Sequence, residues 1–151
     1  QYYRDLSLYL LKSFYLTSSP PFKGRVINPG NTEGVALVSQ KPISFLGDVN
    51  KEKGIVINKE SDIYGEMLKD RVLIVPLGRG STVGAWVIYA LKKRGLAPSA
   101  ILMEKSDLII ASGCIISDIP LFDGFDKPIH KIIKTGDKLR ILDNGTVIVN
   151  P

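Results

Sequence analysis

The chain has 151 residues, 44% of them hydrophobic and 23% charged, with a formal net charge of +5. Such totals describe one compact domain with room for a core and show neither low complexity nor internal repeats. The basic residues are scattered, and the single cysteine, Cys114, forms no intramolecular disulfide and alone holds neither a metal nor an iron–sulfur cluster, so nucleic-acid binding and a resident cofactor on this chain are not expected.

Residues 1–21 stand apart. Leu6, Leu10, Leu11, Phe14 and Tyr15 recur at helical spacing, and Ser18-Ser19-Pro20-Pro21 ends the pattern. A short amphipathic helix and a weakly ordered extension are both open readings. Leu8–Leu11 is too short for a secretory leader, and no apolar run reaches bilayer length, so no membrane association is expected. A reducing, cytoplasmic setting accords with the lone thiol.

Residues 22–151 read as a single domain rich in strands. Gly24 to Asn28 and Gly34 to Ser39 are strand candidates, and Asp48 to Gly54 is a polar loop before a short strand at Ile55-Val56-Ile57. Val72-Leu73-Ile74-Val75-Pro76-Leu77 is apolar throughout, as in a strand covered on both faces. A helix is predicted over about 82–94, with Val83, Trp86, Val87, Ala90 and Leu91 on one stripe and Lys92-Lys93-Arg94 opposing the negative end of its dipole. Ala100 to Met103 and Leu108 to Ala111 read as two more buried strands. Leu139 to Leu142 and Thr146 to Val149 flank Asp143-Asn144-Gly145, a hairpin signal. The reading is an α/β domain with one main helix packed on a mixed sheet.

Chemistry concentrates at Gly78-Arg79-Gly80-Ser81-Thr82-Val83-Gly84, between the buried strand and the helix. A glycine-rich turn at a helix start offers free backbone N–H groups, a guanidinium and a hydroxyl, a setting suited to an anion. Ser81 is open to two readings. Its hydroxyl caps a backbone N–H, or it faces outward where N–H donors and Arg79 favour its ionised form. The phosphate-binding loop would need a lysine where Gly80 stands, and the order of residues does not match a nucleophile elbow. His130, the only histidine, lies in Lys127-Pro128-Ile129-His130-Lys131, which reads as a solvated surface segment. Asp48 and Asn50 either stabilise a turn or help Gly47 close a pocket beside Ser81. Cys114, among small and apolar residues, reads as an inert buried thiol.

Several ordered blocks carry a resemblance. They are Gly24-Arg25-Val26, Gly30-Asn31-Thr32-Glu33-Gly34, Pro42-Ile43-Ser44-Phe45-Leu46-Gly47-Asp48-Val49, the Gly78–Gly84 block, Gly95-Leu96-Ala97-Pro98 and Ile119-Pro120. Across about residues 23–150 the chain resembles the small, swivelling-domain subunit of the aconitase X family. The resemblance implies a swivelling β/β/α domain, built as a mixed sheet or partly open barrel. It implies a hydro-lyase active only as a heterodimer with a large aconitase-like subunit that carries an iron–sulfur (4Fe-4S) cluster. The implied reaction, in the archaeal type, is dehydration of 5-phosphomevalonate to trans-anhydromevalonate 5-phosphate for isoprenoid synthesis. Ser81 would be the proton acceptor, and Arg79, Gly80, Thr82, Gly47 and Asp48 would contact the phosphorylated substrate. Two departures are Lys51-Glu52-Lys53-Gly54, where a threonine commonly precedes the glycine, and Ser61-Asp62-Ile63-Tyr64, which replaces a His-Pro-Leu start. Hydroxyproline-type dehydratases of the same family share the serine chemistry. A binding domain without catalysis is the remaining alternative, although a phosphohistidine carrier would need a histidine on the glycine turn.

Overall fold

The computed structural model describes residues 20–151, so the helix considered within residues 1–21 lies essentially outside the described residues. Eight strands of the described residues form one sheet: β1 (Phe22–Lys23), β2 (Arg25–Asn28), β3 (Thr32–Val38), β6 (Arg71–Val75), β7 (Ala100–Met103), β8 (Leu121–Asp123), β9 (Lys138–Ile141) and β10 (Thr146–Val149). Across the sheet they run in the order β1-β10-β9-β3-β6-β7-β8-β2. The central pairs β3–β6, β6–β7 and β7–β8 are parallel, and the outer pairs are antiparallel. Strands β1 and β2 occupy opposite ends of this order, yet only Gly24 separates them in the chain. The sheet therefore curls until its two edges meet, which is the partly open barrel. Gly24 makes that corner possible, because a side chain there would run into the Phe125 ring and its N–H donates to the Gly145 carbonyl at 2.9 Å.

Alternation along the central strands builds two cores. Leu73, Val75, Ile101 and Met103 face one side, where they meet Val87, Ile88, Leu91, Ile110 and Cys114. Val72, Ile74, Ala100 and Leu102 face the other, against Phe122, Ile129, Leu139, Ile141 and Val147. Both faces being covered explains why β6 and β7 read as uninterrupted apolar runs. The expected hairpin is present, with Val147 opposite Ile141.

Among the described residues four helices accompany the sheet: α1 (Phe45–Asp48), α2 (Gly84–Lys93), α3 (Leu108–Ser117) and α4 (Ile129–Ile132). Three expectations change here. The strand anticipated at Leu108–Ala111 is the first turn of α3, so the described residues hold two ten-residue helices where one main helix is expected. Asp107 starts α3 by accepting the Ile110 N–H at 2.9 Å. Gly113 then lets α3 approach α2, since a Cβ there would lie 2.8 Å from Ile88 Cδ1. Helix α2 begins at Gly84 rather than Thr82, and its buried stripe is Gly84, Val87, Ile88 and Leu91, leaving Val83 and Trp86 exposed. Within the loop expected at 48–54, Val49–Asn50 (β4) pairs with Ile55–Val56 (β5) as a small separate hairpin.

Candidate functional site

Parallel strands β6 and β7 end on the same side, and the chain leaving them forms a cleft of about 220 Å³. It is lined by Ile43, Phe45, Gly78, Arg79, Gly80, Ser81, Gly84, Asp107, Ile109 and Ile110. A crevice beyond the carboxyl ends of parallel strands is where open α/β sheets bind ligands.

The glycine turn is held from both sides. Arg79 N–H donates to the Ile43 carbonyl at 2.9 Å and Ile43 N–H to the Leu77 carbonyl at 3.0 Å, so the 42–48 segment runs beside the turn. Gly80 has φ +95° and approaches Ser44 so closely that a Cβ would lie 2.6 Å from its Oγ. Gly78 packs against the Asp107 carboxylate in the same way. Gly80 suits glycine for its backbone conformation, and at Gly78 any side chain would have to displace Asp107 and Ile110.

Asp48 is the fixed point behind the turn. It is buried, and Oδ2 accepts the Ser44 N–H at 2.9 Å while Ser44 Oγ accepts the Gly47 N–H at 3.2 Å. Oδ1 accepts from Asn58 Nδ2 at 2.9 Å and from Arg79 Nη2 at 2.8 Å. A buried carboxylate with both oxygens engaged is a fixed anchor, and it holds one end of a half-exposed guanidinium.

Ser81 lies at the mouth of α2. Its Oγ accepts the Val83 N–H at 3.1 Å, and among the described residues its hydroxyl donates to nothing. The hydroxyl oxygen accepts a backbone N–H at the helix entrance, as the capping reading expects, and the residue also lines an open cleft.

Arg79, Gly80 and Ser81 are brought together, and Asp48 joins them through Arg79. Gly47 and Thr82 are exposed and do not line the cleft. Asp107, Ser44 and Asn58 join the site only in the folded chain. Asp107 had a signal, a helix-capping type directly before an apolar run; Asn58 had none. His130 reverses its expectation: it is buried on α4, lines a different cavity with Met103, Glu104 and Phe125, and its Nδ1 has no partner among the described residues. It shares no cleft with Ser81. Cys114 is fully buried, and burial first, then the nearby Asp107 charge, pushes its thiol up to about 12. No three His, Cys, Asp or Glu side chains converge among the described residues. No helix of the described residues is long and apolar enough to cross a membrane.

The sequence profile of the aconitase X swivel domain matches residues 21–149. A Thermococcus kodakarensis protein named phosphomevalonate dehydratase small subunit is 52% identical over 126 residues, 83% of this chain and 92% of that protein. A Methanocaldococcus jannaschii protein of the same name is 47% identical over 127 residues, 84% of this chain and 94% of that one. The crystal structure of Thermococcus kodakaraensis aconitase X in its holo-form superimposes with a TM-score of 0.82 at 50% identity, covering 87% of this chain and 98% of that chain.

Proposed function

From the premise that the chain belongs to the aconitase X swivel-domain family, we propose that it is the small subunit of a phosphomevalonate dehydratase, a cytoplasmic hydro-lyase of isoprenoid synthesis that acts with a large subunit. The observation that carries this reading is identity of about one half with small subunits of that name, across nearly the whole domain that holds the serine cleft.

In the reaction, a C2 proton and the C3 hydroxyl of 5-phosphomevalonate leave as water and a C2=C3 double bond forms. Ser81 Oγ takes the C2 proton. The Val83 N–H bonded to that oxygen and the entrance of α2 favour the ionised serine, so they lower the cost of preparing the base. Arg79, anchored by Asp48, holds the anionic substrate. Departure of the hydroxyl falls to the large subunit, where an iron–sulfur cluster would supply a Lewis acid.

The surroundings of the cleft support a covering partner. Leu46, Leu77, Val83 and Leu108 are each neighbours in sequence of a lining residue and are each exposed, Leu108 by 82%. Trp86, the only tryptophan, is 66% exposed one turn further along α2. Exposed apolar groups gathered around a polar site mark an interface. The test is anaerobic mixing of the purified chain with its large subunit. Association should shift Trp86 emission to the blue, and the pair alone should turn over phosphomevalonate. Hydroxyproline as the better substrate, or turnover by this chain unaided, would overturn the reading.

A further inference from the structure

Arg79 is a wall between two cavities. On one side is the Ser81 cleft. On the other is a polar cavity of about 370 Å³ lined by Lys41, Pro42, Asp48, Asn58, Glu60, Ser61 and Arg79. Its donors and acceptors are unequally committed. Asp48 has both oxygens engaged, and Asn58 gives its amide to Asp48. Lys41 Nζ is anchored by donating to the Glu60 carbonyl at 2.8 Å, which leaves its other two N–H groups free. Among the described residues Arg79 donates only one side-chain hydrogen bond, through Nη2, so most of its fork is free. Ser61 Oγ accepts the Ile63 N–H at 3.2 Å and keeps its own proton to give. Three free donors, two of them cationic, therefore meet in one place. Two acidic residues share the lining: Asp48, whose carboxylate is engaged by Ser44, Asn58 and Arg79, and Glu60, which is exposed to water and has no ion-pair partner among the described residues.

We propose that this second cavity is the phosphate-binding subsite and that Lys41 is a residue that determines specificity for a phosphorylated substrate. The assignment rests on the dehydratase reading of the Ser81 cleft. In phosphomevalonate two methylenes and an oxygen separate the reacting C3 from the phosphorus. A substrate can thus lie across Arg79, with its reacting carbons on the Ser81 side and its phosphate between Arg79 and Lys41. A phosphate dianion accepts several hydrogen bonds at once, which matches a fork, an ammonium and a hydroxyl. An unphosphorylated analogue leaves these donors to water.

The experiment uses the reconstituted heterodimer. Lys41→Ala should raise KM for phosphomevalonate by about ten- to hundredfold, the factor carried by one charge-assisted hydrogen bond. Its kcat should stay within about twofold, the signature of binding shared by ground and transition states. Turnover of unphosphorylated mevalonate should not respond to the change. Glu60→Gln should move KM the other way, downward, because it removes a repelling charge; a merely structural role would not predict that sign. An unchanged KM in Lys41→Ala, or an equal loss on both substrates, overturns the subsite. Should the wild-type pair turn over neither substrate, the dehydratase reading fails, and titration with ethyl phosphate still decides the subsite. Weaker binding by Lys41→Ala supports it, and equal binding refutes it.

Discussion

Replacing Asp48 by alanine tests whether one carboxylate organises the site. The substitution strips the buried Ser44 N–H of its acceptor, and an orphaned buried donor costs about 1–3 kcal/mol. It also removes the hydrogen bond from Asn58, a contribution of about 1 kcal/mol. The ion pair to Arg79 adds little, about 0–1 kcal/mol, because the guanidinium is half-exposed and screened. A loss of about 3 kcal/mol follows, which for a domain of this size lowers Tm by roughly 6–12 °C. Equilibrium urea unfolding followed by far-ultraviolet circular dichroism measures it. Asn58→Ala and Arg79→Ala serve as controls, and each should cost about 1 kcal/mol or less. If Asp48→Ala is within about 0.5 kcal/mol of wild type, or if Arg79→Ala is equally damaging, the carboxylate does not act through the Ser44 backbone and the reasoning fails.

Three further predictions concern the same scaffold. Gly80→Ala combines a left-handed backbone with a contact to Ser44 Oγ and should destabilise by about 2–4 kcal/mol; a Tm equal to wild type would show the turn to be adaptable. Burial would raise the Asp123 carboxyl, but hydrogen bonds from Arg25 and Ser106 and the Arg25 charge outweigh burial and hold it below its usual value. Its contribution is therefore complete above the unfolded carboxyl value, about 3.9, and fades as pH falls through the folded one. Asp123→Asn should flatten the acid limb of the stability–pH curve below about pH 4, and an unaltered limb would count against the pair. The Cys114 thiol, pushed up to about 12 inside the core, should resist a disulfide reagent at neutral pH in the native protein and react once urea unfolds it; rapid native labelling would contradict its burial.

What the sequence revealed followed local signals. An apolar run, a glycine turn and a basic helix end announced β6, its loop and α2, and Asp143-Asn144-Gly145 announced the final hairpin. Helix α3 stayed hidden because Leu108-Ile109-Ile110 is apolar on every side, and such a run carries no period to separate helix from strand. Helical spacing puts Trp86 on one stripe with Val87 and Leu91, whereas α2 turns Gly84, Val87, Ile88 and Leu91 inward and leaves Trp86 exposed. The lysine and proline neighbours of His130 suggest a solvated segment, yet the residue is buried on α4. At the site, the Gly78–Gly84 block was legible as one local unit. The Asp48–Arg79 pair joins residues 31 positions apart, and Lys41 meets Arg79 across a cavity; only the tertiary fold creates such proximities.

The central claim is that Ser81 Oγ is the base. It is tested most directly by single-turnover dehydration of phosphomevalonate by the heterodimer carrying Ser81→Ala, with binding measured separately. The rate of the chemical step should fall by about 10²–10⁴-fold while substrate affinity and subunit association hold. A chemical step as fast as that of wild type would contradict the account.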